Sequence, residues 1–156
     1  MKILRTTIVF IGACLAAHAA DFALEIGNPY AATSTSANTK MTKKGGILAV
    51  RSTGCADTVK VQIDGIAEGI VNGARQSIPL HLVEGSVPGA SLVIQEWPSE
   101  GTWVVNLTGG CGKSKASAIV PVTSTGFNRE QSKFYPRPAK NAEIEAMLKN
   151  LTGGGR

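Results

Sequence analysis

Between Ile47 and Val122 apolar and polar residues alternate at a period of two in run after run, and that spacing confines the chain to β-structure. Val59, Val61 and Ile63 alternate with Lys60, Gln62 and Asp64, while Ile78, Leu80 and Leu82 alternate with Ser77, Pro79 and His81. Trp103, Val105 and Leu107 alternate with Thr102, Val104 and Asn106, and Ala116, Ala118, Val120 and Val122 make a last apolar face. Successive side chains of a strand point to opposite sides, so each set lines one face of a sheet. Asn72-Gly73, both tolerant of positive φ, signals a hairpin, and Pro98 to Gly101 signals a further turn. Thr108 to Gly112 reads as a glycine-rich turn. Short strands with frequent turns predict an antiparallel β-sandwich.

Residues 1–20 read as an export signal. Lys2 and Arg5 give a positive start, Thr6 to Leu15 an apolar core too short to span a membrane, and Ala17-His18-Ala19 a small-residue cleavage site. Ile11-Gly12-Ala13-Cys14 also resembles the lipobox of bacterial lipoproteins, which would tether the protein to a membrane through Cys14. The very short apolar core before Cys14, and the apolar Leu15-Ala16-Ala17 after it, favour soluble export. Cleavage leaves two cysteines, one histidine and fourteen basic against eleven acidic residues, a formal charge of +3.

In an exported chain an even cysteine count points to a disulfide, here Cys55 with Cys111, since neither lies in a CxxC motif or near a second metal ligand. Free thiols are the alternative. The bridge constrains the strand count. It needs the loops after Ile47 to Arg51 and after Thr102 to Thr108 at one end of the sandwich. Two strands turning at Asp64-Gly65 would place the cysteines at opposite ends. One long strand from Thr58 to Val71, bent or bulged at Gly65 or Gly69, brings them together. A hairpin of Thr58 to Val71 with Arg75 to Val83, turning at Asn72-Gly73, is therefore expected.

Strand count, bridge and the stretch Pro88 to Cys111, PGASLVIQEWPSEGTWVVNLTGGC, together resemble the immunoglobulin-like sandwich modules of bacterial extracytoplasmic proteins over residues 46–122. The resemblance implies a fold class: all-β, an antiparallel immunoglobulin-like sandwich with one disulfide and a short C-terminal helix. It departs from antibody-type domains because Trp103 lies on the late strand that leads to Cys111, and because both cysteines fall in end loops rather than mid-strand. It carries no binding residues across.

Four segments follow: a leader at 1–20, an N-terminal arm or linker at 21–46, the sandwich at 47–122 and a C-terminal extension at 123–156. Ala31 to Gly46 is polar and rich in Ser, Thr and Gly, whereas Phe22, Leu24 and Ile26 alternate and could add an edge strand. Asn141 is a candidate N-cap for a helix over Ala142 to Leu151, with Ile144, Met147, Leu148 and Leu151 in one stripe. So short a helix needs a packing partner, either its own sandwich or another surface.

Catalytic readings lack their residues. His81 is the one histidine left after cleavage, and it falls on the polar side of its run. Gly109 to Ser114 mimics the end of a phosphate-binding loop, but Leu107 replaces the first required glycine and no helix follows. Asp57, Asp64, Glu68, Glu84, Glu96 and Glu100 could support glycoside hydrolysis only if two converged, and their spacing does not bring that about. No calcium loop is present. No metal or cofactor is expected.

Arg129, Lys133, Phe134, Tyr135 and Arg137 interleave charge with rings, a pattern that suits an anionic envelope polymer or lipid head group better than nucleic acid in an exported protein. Phe134 and Tyr135 could equally pin the C-terminal segment to the sandwich while the charges stay wet. Trp103 reads as core, and Trp97, if exposed, as a stacking or partner-contact residue. The expected function is a secreted or periplasmic non-enzymatic binding or structural module, whose partner is an unknown protein or envelope polymer and whose candidate contacts are Trp97, Phe134, Tyr135 and Arg137. A lipoprotein or envelope-assembly subunit is the alternative, with an envelope glycoside hydrolase behind it.

Overall fold

Ten strands and one helix follow in a computed structural model that describes residues 21–29, 46–57, 61–85, 87–123 and 126–153. The leader, its lipobox and most of the Ala31 to Gly46 segment lie outside these residues. Strands β1 (Ala23–Gly27), β2 (Gly46–Thr53), β6 (Ala90–Ile94) and β5 (Leu82–Glu84) form one antiparallel sheet in that order. The second sheet runs β10 (Lys133–Tyr135), β8 (Ser114–Thr123), β7 (Thr102–Cys111), β3 (Gln62–Val71) and β4 (Ala74–Leu80), with the short β9 (Gly126–Phe127) also on β8. Counting the first eight strands A to G with C′ after C, the orders are ABED and C′CFG, the immunoglobulin arrangement.

The expected edge strand is β1, whose Leu24 and Ile26 face the core while Glu25 faces out. The long strand is β3. It passes Gly65 and Gly69 without a turn and reverses at Asn72 (φ 50°) and Gly73 (φ 79°), a two-residue loop with both residues left-handed. Cys55 and Cys111 consequently meet, with Cα atoms 6.1 Å apart, and the bridge staples one sheet to the other at a single end. Such a bond fits an oxidising, extracytoplasmic compartment.

Three expectations are corrected. The run from Arg75 to Val83 is two strands: β4 ends at Leu80, and after His81 the chain crosses to the other sheet, where Leu82 pairs with Val93. Thr108 to Gly110 is not a turn, because β7 continues to Cys111 and pairs with β3, leaving only Gly112-Lys113 as the loop. The glycine is there for space: a Cβ on Gly109 would lie 2.7 Å from Leu24 Cδ2 of the facing sheet. The stretch after Val122 is not wholly irregular, since β9 and β10 both pair with β8.

The core follows the same logic of small against large. The inward row of β3 includes Gly65, Ala67 and Gly69, so Trp103 of β7 can lay its indole against Gly69, where any Cβ would overlap the ring. The indole N–H donates to the Glu100 carbonyl at 2.7 Å. Leu24, Ile26, Leu48, Val50 and Val93 fill the space from the opposite sheet.

Backbone geometry also explains the strand prolines. Val71 and Ala74 flank a two-residue loop and exchange hydrogen bonds, so alternate residues Arg75, Ser77 and Pro79 turn their backbone groups to the free edge of β4. Pro79 removes a donor there at no cost to the ladder, which blunts the edge. Pro121 occupies the equivalent outward position on β8, and its carbonyl accepts from Asn128 N–H at 2.8 Å.

The helix α1 (Asn141–Gly153) packs on its own domain. Ile144, Met147 and Leu148 bury against Val104 and Ile119 on the outer face of the six-stranded sheet. Its N-cap is Lys140 rather than Asn141, since Glu143 at the third helical position accepts from Lys140 N–H at 2.7 Å. Asn141 instead ties the helix start to β4, because its Oδ1 accepts from Arg75 at 2.9 Å. Among the described residues no helix is long and apolar enough to cross a membrane.

Candidate functional site

With α1 covering one outer face, the four-stranded sheet turns its opposite outer face outward, and that face carries an open cleft of about 320 Å³. Its floor arises from register. Gly27 pairs with Ala49, so two small residues lie side by side on β1 and β2, while the next partner, Leu92 on β6, is fully buried beneath the surface. The next row holds Glu25, Arg51 and Ala90. Ala49, Ala90 and Leu92 are buried together as a separate apolar cluster. One wall is the loop before β6, where Val87, Pro88, Gly89 and Ala90 form a turn closed by Ala90 N–H to the Val87 carbonyl at 3.0 Å. With Pro second and Gly89 third at φ 76°, this is a type II turn, and it leaves Val87 exposed at the rim.

Charge in the cleft is uneven. Arg51 and Glu25 lock together across β1 and β2, with Nη2 to Oε2 at 2.6 Å. Arg129 reaches the rim from the β9–β10 connection, and its guanidinium has no partner among the described residues.

The residues singled out from sequence do not converge on one patch. Cys55 and Cys111 are joined as expected. Trp97 is only 4% exposed and packs near Trp103, ring centroids 6.5 Å apart, so the exposure on which its contact role depended is missing. Phe134, on β10, is 48% exposed. Tyr135 and Arg137 turn toward the helix. Arg137 lies 5.1 Å from the Tyr135 ring centroid, and its Nη1 donates to Glu143 at 3.0 Å. That bond and the Lys140 N–H hold the Glu143 carboxyl at about 2, well below its ordinary value. Burial, and then the Glu143 charge, raises the Tyr135 phenol. These groups bind helix to sheet.

His81 is 90% exposed on its side chain, with Nδ1 3.2 Å from Glu96 Oε1, at the crossover between sheets. Glu68 is held by Arg75 at 3.2 Å and by the Ser77 hydroxyl at 3.0 Å. A second open depression, beside Val61, Ile63 and Pro88, carries Glu84 alone as an acid. Among the described residues no three His, Cys, Asp or Glu side chains stand where they could share a metal ion.

Sequence reasoning missed the cleft. Its lining mixes small and aliphatic residues with Asn28 and three ordinary charges, and only register places Glu25 beside Arg51 and Gly27 beside Ala49. Two signals were usable: the outward position of Glu25 in the alternation Leu24, Glu25, Ile26, and Arg129 in the stretch that interleaves charge with rings. Comparison with known families, with curated proteins and with solved structures finds no match to the chain.

Proposed function

We propose that the chain is an exported, non-enzymatic binding or structural accessory module of the kind built on bacterial extracytoplasmic immunoglobulin-like sandwiches, and that it contacts its partner through the outer-face cleft. The observation that supports this reading is the inequality of the two outer faces. One is occupied by α1; the other holds a depression with an apolar floor and a rim arginine that has no partner among the described residues. Apolar concavities with a few placed polar groups are the usual form of a contact site. The disulfide supports an oxidising destination, such as the periplasm or the exterior.

Gly27 supplies the test. A Cβ there meets nothing within 4 Å, so Gly27→Leu fills the cleft without touching the core. Mature protein should co-sediment with isolated envelope material, and Gly27→Leu, at an unchanged melting temperature, should stay in the supernatant. Equal partitioning of the two proteins would overturn the assignment. Mass analysis of the exported N-terminus checks the leader: cleavage after Ala19 or Ala20 is expected, and a diacylated Cys14 would replace soluble export with a lipid anchor.

A further inference from the structure

The cleft is small, with Gly27, Ala49 and Ala90 among its lining beside the polar Asn28, and among the described residues it carries one charge that is not already matched. Glu25 and Arg51 cancel each other through contacts of 2.6 and 2.7 Å. Arg129 does not share in that pair. A guanidinium presents its N–H groups as a planar fork that suits a carboxylate bidentately. Beside it the row Gly27 and Ala49, with Ala90 in the next row, offers methyl groups and bare backbone.

We infer that this cleft binds a compact ligand with an apolar body and a single carboxylate, the body over Gly27, Ala49 and Ala90 and the carboxylate on Arg129. The inference rests on the cleft being the contact surface. Its volume of about 320 Å³ lies at the lower end of small-molecule sites. That admits the last two residues of a peptide or a short aliphatic acid, which share this chemistry.

Glu25 acts in the opposite sense to Arg129. It neutralises Arg51 and repels an incoming anion, so removing its charge frees a second guanidinium on β2, two residues from Ala49 and paired across to Ala90. Two substitutions that each delete one charge from the same cleft therefore have opposite effects on affinity. A depression that merely traps apolar solutes would respond to neither.

The experiment titrates ¹⁵N-labelled mature protein with acetyl-Ala-Val as the free acid, with its C-terminal amide and with pentanoate, following the amides of Gly27, Ala49 and Ala90. The free acid should shift these three resonances. The amide should bind about tenfold more weakly, and Arg129→Gln should lose a similar factor, the usual scale for a hydrogen bond to a charged group. Glu25→Gln should tighten binding severalfold. Pentanoate matching the peptide acid identifies a free acid as sufficient, and silence from pentanoate beside a binding peptide acid identifies a peptide terminus; both support the ligand class. Equal binding of acid and amide, no shift with any probe, or an unaltered affinity in Arg129→Gln overturns it. If Gly27→Leu still abolishes envelope binding in that case, the contact face stands and only the ligand class falls.

Discussion

Gly69→Ala is the sharpest single perturbation of the core, because one methyl group must enter space already filled by the Trp103 ring. Relief requires the indole to move, and that loosens its contact with Trp97 and the 2.7 Å bond to the Glu100 carbonyl. Overpacking of this kind costs about 1–3 kcal/mol, and the weakened hydrogen bond adds about 1. Against this, replacing glycine in a strand returns about 0.5–1 kcal/mol. The net loss is about 2 kcal/mol, a fall in melting temperature of about 6 °C for a domain of this size. Trp103→Leu alone costs more, about 3 kcal/mol, by emptying the same space. In the Trp103→Leu background, however, Gly69→Ala should become neutral or stabilising, because the atoms it clashes with are gone. Urea denaturation of the four proteins of this cycle measures the coupling directly. Additive losses would show that the indole does not rest on Gly69.

Three further outcomes follow from named contacts. Cys55→Ser or Cys111→Ser should cost about 4 kcal/mol on the chain-entropy account, since the bridge spans 56 residues; peptide mapping under non-reducing conditions should recover the joined pair. Leu148→Asp should destabilise the monomer by at least about 3 kcal/mol, as it places a charge against Val104 and Ile119; an unchanged melting temperature with a shift in sedimentation would mean the helix serves a second chain. Glu143 titrates at about 2 in the folded chain against an ordinary 4.5, so its contribution is complete above about pH 4.5 and is lost as the pH falls toward 2. Glu143→Gln should flatten the fall in melting temperature across that window, and an identical pH profile would remove the Arg137 contact from the account.

Period-two alternation made most of the sandwich legible, and the disulfide settled its parity. A bridge between the ends of β2 and β7 is compatible with β3 as one strand and not with a turn at Asp64-Gly65. The failures share one physical origin. Glycines at 109 and 110 carry the local signature of a turn, but Gly109 serves close packing against Phe22 and Leu24, which sequence neighbours do not reveal. The alternation runs unbroken through His81 although the chain changes sheets there, a tertiary event with no period of its own. Trp97 and Phe134 look alike as isolated rings in the sequence; burial divides them, one into the core and the other onto an edge. Tyr135 and Arg137 sit beside Phe134 in sequence, yet alternation and the Glu143 contact turn them to the other face. The cleft was illegible since pairing, not composition, assembles it.

The claim that the four-stranded sheet carries the contact face is tested most directly by hydrogen–deuterium exchange of the mature protein with and without envelope material. Protection is predicted at residues 23–27, 49–51 and 87–90, with little change along α1 or β10. Protection centred on Phe134 and the β10 edge, with none at Gly27 or Ala49, would contradict the account.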